Sequence, residues 1–265
     1  MWFHYTSRGA ACPSHFFVWA KMRACIFVDG ENFRHSIVDL FQPEFDEGEY
    51  LPKTANWEQF FDFVAGRCYD STRLRTYWYV VQEIDFRPFG LRKLDPEKRV
   101  EILSRNRSAR SELQAAANRD AKTEEIIARL DREQAKMTSR FNGWTTVQDG
   151  IAFRHDAIEF RRAGSIPYDL HEREFGKEKA VDVKLAVDLI EFSSIYDVAI
   201  FVSGDGDYVP AVQAVKDKGK RVVNVSFLTR GGELLPGGAR RLNRITDRVC
   251  QIPYDEAKRL LLRPA

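Results

Sequence analysis

The stretch Ser203-Gly204-Asp205-Gly206-Asp207-Tyr208 sets two carboxylates in a glycine-loosened turn directly after the apolar run Val198-Ala199-Ile200-Phe201-Val202. A buried strand ending at Val202, followed by a helix opening at Tyr208, would leave both acids at the carboxyl edge of a sheet, where α/β proteins bind ligands. Two further segments repeat the arrangement. Cys25-Ile26-Phe27-Val28 runs into Asp29-Gly30-Glu31-Asn32, and Lys179-Ala180-Val181-Asp182 opens the helical pattern Val183 to Ile190. Asp29, Asp182, Asp205 and Asp207 would then share one edge. Like charges so close are costly, and a hard cation such as Mg²⁺ or Mn²⁺ takes oxygen ligands of this kind. A cation held by aspartates, with no His or Cys ligand, suits phosphodiester hydrolysis by an activated water. Asn32, close behind Asp29, is placed to hold a water or a phosphate oxygen.

Taken singly, each acid has a blander reading. Asp29 and Asp182 fit helix caps, and Asp188 fits an i,i+4 ion pair with Lys184. The agreement of three separated segments in position and polarity is what favours a shared site. No GxSxG elbow, GxxxxGK[ST] phosphate loop or Cys-His pairing competes for the chemistry. The five histidines have no ligand-spaced partners, and Tyr208 and Phe33 read as packing residues.

The elements that must carry these residues alternate. Residues 24–29 read as a buried strand, Glu31 to Phe41 as a helix with Phe33, Ile37, Val38 and Phe41 on one face, and Trp57 to about Gly66 as a second helix. Leu74 to Val81 returns as a strand. From about 87 to 140 apolar residues thin out while Arg92, Lys93, Lys98, Arg99, Arg105, Arg107, Arg110, Arg119 and Lys122 accumulate, which reads as a helical, basic insertion. Its two readings, a solvated arm laced with ion pairs or a grip on a phosphate backbone, stay open. Trp144 to Phe160 reads as short strand pieces around a turn at Gln148-Asp149-Gly150. The α/β alternation then resumes with helix 181–192, strand 197–202, helix 208–217, strand 221–227 and an Arg-rich helix-strand end. That order implies a mostly parallel, doubly wound sheet between helical layers.

With 265 residues, 44% apolar and 30% charged, and a formal charge of +2, the chain reads as globular, and its net charge alone does not argue for nucleic acid. The cysteines show no metal-ligand spacing and fit a reducing cytoplasm. Residues 1–21 lack the continuous apolar core of a signal peptide or membrane span, and read as a leader or extension before a single domain over 22–255, with 256–265 as a tail.

At these motifs the chain resembles the NYN domain, a branch of the PIN-like ribonuclease superfamily that includes LabA-like proteins. Ile26 to Asn32 is similar to the opening strand motif, Lys179 to Asp188 to the middle motif, and Val202 to Tyr208 to the third. The resemblance implies a PIN-like three-layer α/β/α sandwich and metal-dependent RNA cleavage, with Asp29, Asp182, Asp205 and Asp207 as an acidic pocket and Asn32 beside it. RNA, single-stranded or structured, would be the partner. Arg92, Lys93, Arg105, Arg107 and Arg110, or else Arg240, Arg241 and Arg244, would guide it, and a homo-oligomer is compatible. One departure is Ala180, where the family usually has Gly, a change tolerated if the residue is helical. An inactive RNA-binding module of the same type is the main alternative. Gly204-Asp205-Gly206-Asp207 also resembles the metal loop of haloacid-dehalogenase-like phosphatases, but Asp29-Gly30-Glu31-Asn32 lacks their second aspartate two residues on.

Overall fold

The structure is a computed structural model describing residues 21–42, 44–45, 50–52, 55–235 and 240–262; of the expected leader over 1–21, only Lys21 lies among them. Three apolar runs become the centre of the sheet because their side chains are buried on both faces: β1 (Arg23–Asp29), β5 (Val198–Val202) and β6 (Arg221–Phe227). Around them lie β2 (Thr72–Arg87), β3 (Ile158–Asp169), the two-residue β4 (Glu174–Phe175) and β7 (Arg248–Ile252). The strand order is β4-β3-β2-β1-β5-β6-β7, parallel throughout except for β3 with β4. The order turns outward in both directions from β1 and β5, and the crevice above their carboxyl ends is the topological switch point of such a sheet.

Alternation along β1 divides the core. Ala24, Ile26 and Val28 face one layer, with α1 (Gly30–Phe41), α2 (Trp57–Arg67) and α9 (Tyr254–Leu261). Cys25 and Phe27 face the other, with α6 (Val181–Glu191), α7 (Val209–Asp217) and α8 (Arg240–Ile245). The result is the three-layer α/β/α sandwich expected. Phe33 is core as expected, within 6.2 Å of the Trp57, Phe60, Trp78 and Phe227 ring centroids. Residues 256–261, expected in a tail, belong to α9, which buries Ala257, Leu260 and Leu261.

One expectation is corrected. Residues 144–154 are not strand pieces around a hairpin; they complete α5 (Arg119–Arg154), which continues because Gln148 and Ile151 are buried one turn apart. The β-branched Thr-Thr-Val preceding Gln148 loses to that packing. The basic insertion, whose role the sequence leaves open, has a packed side. With α3 (Pro96–Leu103) and α4 (Arg107–Ala115), α5 builds a third core in which Leu103, Leu113, Ile126 and Leu130 pack with Tyr168 and Leu170 of the β3 end.

Two glycines set how closely these parts approach. A Cβ on Gly30 would lie 2.3 Å from the Tyr79 carbonyl oxygen, so only glycine lets α1 start against β2. Gly164 has φ +60, and a Cβ there would lie 1.8 Å from the Lys179 carbonyl oxygen. That close contact carries the antiparallel bridge between Ser165 and Lys179, with N–H···O distances of 3.2 and 2.9 Å, which ties the segment before α6 to β3. Ala180, expected to be tolerable as a helical residue, instead caps α6 from the left-handed region at φ 71. The helix begins one residue later, so the side chain carries a steric cost. Gly164→Ala is expected to cost about 1–3 kcal/mol, because backbone rather than a pliable side chain blocks the new methyl. Ala180→Gly is expected to move the thermal midpoint upward or leave it level, since strain relief of about 1–2 kcal/mol exceeds or matches the added chain entropy. Thermal melts of both variants test the pair, and a higher midpoint for Gly164→Ala would refute the close approach.

Candidate functional site

Asp29 ends β1 at the switch point, is 4% exposed, and caps α1 by accepting the Asn32 N–H on Oδ1 at 3.2 Å. Its Oδ2 accepts the Ser203 hydroxyl at 2.8 Å and lies 3.4 Å from the Tyr208 hydroxyl oxygen. Burial raises the Asp29 carboxyl to about 6; the Ser203 and Asn32 hydrogen bonds pull it down, while the Asp182 and Asp205 charges add to the rise. Ser203 stands directly after β5, and its oxygen accepts the Asp205 N–H at 3.0 Å. Asn32 fastens the same loop, accepting the Gly204 N–H on Oδ1 at 2.8 Å. The first and third motifs are thus sewn together by their own side chains.

Asp182 lies in the first turn of α6, favourable for an acid. Its Oδ1 accepts the Tyr208 hydroxyl proton at 2.7 Å. Tyr208, expected only to pack, therefore stands between Asp29 and Asp182. Burial first, then those two charges, drive its phenol far above the ordinary range. Asp205 turns inward on its own loop, capping the Asp207 N–H at 2.9 Å, and Asp207 lies exposed at the rim. Of the four expected acids, Asp182 and Asp205 lie close enough for their charges to act on Asp29, and Asp207 stands outside that group.

Glu178 is the acid that sequence reasoning missed. It is raised to about 7 by burial and then by the charges of Asp29, Asp182, Glu31 and Asp205. No periodicity marks it; the Ser165–Lys179 bridge brings it in. Asp188 is fully buried but structural, paired with Lys184 at 2.7 Å as expected and accepting the Tyr79 hydroxyl at 3.0 Å.

The donor set consists of carboxylates, hydroxyls and amides, the chemistry of a hard-cation site. Among the described residues, however, no three His, Cys, Asp or Glu side chains are grouped closely enough to form a ready-made metal cage. Asp205 spends one oxygen on its own turn, and the Tyr208 hydroxyl stands between Asp29 and Asp182. Mg²⁺ commonly binds through one or two carboxylates, waters and a substrate phosphate, a mode that needs no complete cage.

The basic residues divide. Arg92 is engaged by Asp131 at 2.7 Å and Glu124 at 3.2 Å, Arg105 by Glu101 at 3.0 Å, and the Arg110 Nε donates to the Ser104 carbonyl at 2.6 Å. Lys93 and Arg107 are exposed on the insertion. Much of its positive charge is therefore answered internally, as in the ion-paired reading. Arg240, Arg241 and Arg244 are exposed on α8, and a Cβ on Gly206 would lie 3.0 Å from the Arg241 Cδ, so that side chain lies along the Asp205–Asp207 turn. No helix among the described residues is long and apolar enough to cross a membrane.

An uncharacterized protein of Methanocaldococcus jannaschii is 36% identical over 74 residues, which are 27% of this chain and 28% of that protein's length. A Vibrio parahaemolyticus protein of unknown function, known from its crystal structure, aligns with 88% of this chain and 93% of its own, at a TM-score of 0.41 and 17% identity. Residues 121–235 match the family model described as NYN domain. The match contains Glu178, Asp182, Ser203, Asp205 and Tyr208, while Asp29 and Asn32 join through β1 and α1. Over residues 121–235 the chain therefore matches the NYN domain, which belongs to the PIN-like superfamily.

Proposed function

We propose that the protein hydrolyses RNA phosphodiester bonds with a Mg²⁺ or Mn²⁺ ion held at the acidic ends of β1 and β5. NYN domains generally bind RNA and have a nuclease-type fold, which supports the polymer and the reaction class. The observation that carries the reading is convergence: Asp29 and Asp182 flank the Tyr208 hydroxyl at 3.4 and 2.7 Å, and burial first, then the neighbouring acids, raise Asp29 to about 6 and Glu178 to about 7. Asp29, Asp182 and Asp205 would hold the ion, with Asp207 and Asn32 at the edge. When bound, such an ion supplies the positive charge that activates a water and offsets charge building on the leaving oxygen. Ser203 and Tyr208 fix the carboxylate oxygens by hydrogen bonds. Asn32 holds the Gly204 backbone so that the Asp205 turn keeps its place, and Arg241 beside that turn would steady the strand's phosphates. A second reading, an inactive binding module, draws on the Tyr208 hydroxyl already bridging two of the acids.

Asp205→Asn is expected to lower cleavage about a hundredfold or more, while metal-free stability holds, because Asn can still cap Asp207 but removes a negative charge. Labelled single-stranded and structured RNAs incubated with Mg²⁺, Mn²⁺ or EDTA provide the measurement. Near-wild-type turnover would remove Asp205 from the mechanism, and no cleavage with either ion would favour the binding module.

The pocket also predicts a pH signature in metal-free buffer. Asp29 and Glu178 have folded-state values above their unfolded ones, so the folded state holds protons that the unfolded state releases. Their ionisation costs stability: the penalty is absent below about pH 4 and grows until about pH 7. The wild-type midpoint should therefore fall more steeply over that window than that of Asp29→Asn. Millimolar Mg²⁺ should raise the wild-type midpoint at pH 7.5 more than at pH 5, since the ion binds only the folded, ionised pocket. A midpoint indifferent to both cations at pH 7.5 would count against a metal site.

A further inference from the structure

We propose that the cleft between α1, the C-terminal half of α5 and the β3–β4 hairpin binds a nucleotide of single-stranded RNA, its base on Phe175 and its phosphate beside Arg140 and Lys177. The identity of the polymer rests on the ribonuclease reading; the cleft itself stands on its own geometry. It encloses about 990 Å³, at the upper end for small-ligand sites. Glu31 and Glu178 belong to its lining, so it borders the acidic site at Glu178.

The rest of the lining is aromatic and cationic. Trp144 stacks on Tyr50 at 5.2 Å and 18°, and the Gln148 amide donates to the Tyr50 hydroxyl at 2.7 Å, which sets the floor. The Arg140 guanidinium lies 5.3 Å from the Trp144 ring centroid. Phe175 leans on Tyr168 at 4.9 Å and on Trp144 at 6.3 Å, yet remains 40% exposed in a strand of two residues. Lys177 follows it on the same lip.

An exposed ring supported from behind by other rings is a stacking platform, and every base has a face to offer it. Cations beside the platform would orient a polyanion: phosphates are drawn to Arg140 and Lys177, and only a phosphate paired with a cation is tolerated at Glu31 and Glu178. A duplex keeps its bases stacked inside and cannot present one to Phe175, so the cleft selects single strands. The insertion would then serve binding through its structured C-terminal end, not through the arginines of its first half.

The test uses the full chain carrying Asp205→Asn, so that RNA is bound without being cut. Anisotropy of a labelled short single-stranded RNA, its duplex and the DNA of the same sequence is followed against salt. Phe175→Ala should weaken single-stranded RNA binding about tenfold. Arg140→Gln and Lys177→Gln should each weaken it and flatten the logarithmic salt slope by about one phosphate contact. Phe153→Ala, whose ring is 90% exposed on the same helix outside the cleft, should change nothing. A thermal melt of each variant verifies folding, and Phe175 and Lys177 are exposed enough that little core is lost. If the three cleft variants bind as the parent does, the cleft is not the RNA path, and the ribonuclease reading stands or falls separately on wild-type cleavage. If binding depends on the cleft but the wild type cuts nothing with Mg²⁺ or Mn²⁺, the cleft is supported and the ribonuclease reading fails. Equal affinity for duplex overturns the single-strand assignment, and equal affinity for the DNA strand overturns RNA as the ligand.

Discussion

A carboxylate 4% exposed at the end of a central strand is expensive unless its oxygens are hydrogen-bonded, and the rest of the site is arranged around meeting that demand for Asp29. One oxygen is answered by the start of its own helix and the other by the hydroxyls of Ser203 and Tyr208. Because Ser203 follows β5 and Tyr208 precedes α7, answering Asp29 requires β1 and β5 to be neighbours with their ends level. Gly30 is part of the same constraint, since α1 can cap Asp29 only by starting against the Tyr79 backbone. The residual mismatch, a carboxyl still raised to about 6, is the property a polyvalent cation would relieve.

The sheet order makes this economical. With β1 and β5 at the switch point, the loops after both strands open into one crevice, and the Ser165–Lys179 bridge swings the α6 start toward it from the β3 side. Asp182 and Glu178 arrive by that route, and the left-handed backbone of Ala180 is part of its cost. The insertion adds a third core to the end of the sheet, and its long helix returns beside α1 to form the far wall of the cleft. Some of its arginines pair within this annex, as the Arg92 and Arg129 ion pairs with Asp131, Glu124 and Glu112 show. Charge abundance in a segment therefore says little about its partner until the countercharges are located.

The sequence by itself determined the strands and the acids at their ends. Runs such as Cys25 to Val28 and Val198 to Val202 are apolar at every position, which only a strand buried on both faces requires, and an aspartate beside glycine closes each run or its turn. Those signals are local, so they survive in one dimension. The tertiary structure alone decided which acids interact. Glu178 lies in a stretch without periodicity and enters the site because its neighbour Lys179 bridges to Ser165, 14 positions away. The Tyr208 hydroxyl became a proton bridge because two carboxylates from elements far apart in the chain converge on it. Asp207, indistinguishable from Asp205 in the motif, was left at the rim by the direction of one short turn. Local propensity also misled at Trp144 to Gly150, where burial of Gln148 and Ile151 carries a helix through residues that favour strands. Hydrogen bonds, burial and charge repulsion act through space, and spacing along a chain reports them only when the partners are neighbours in sequence.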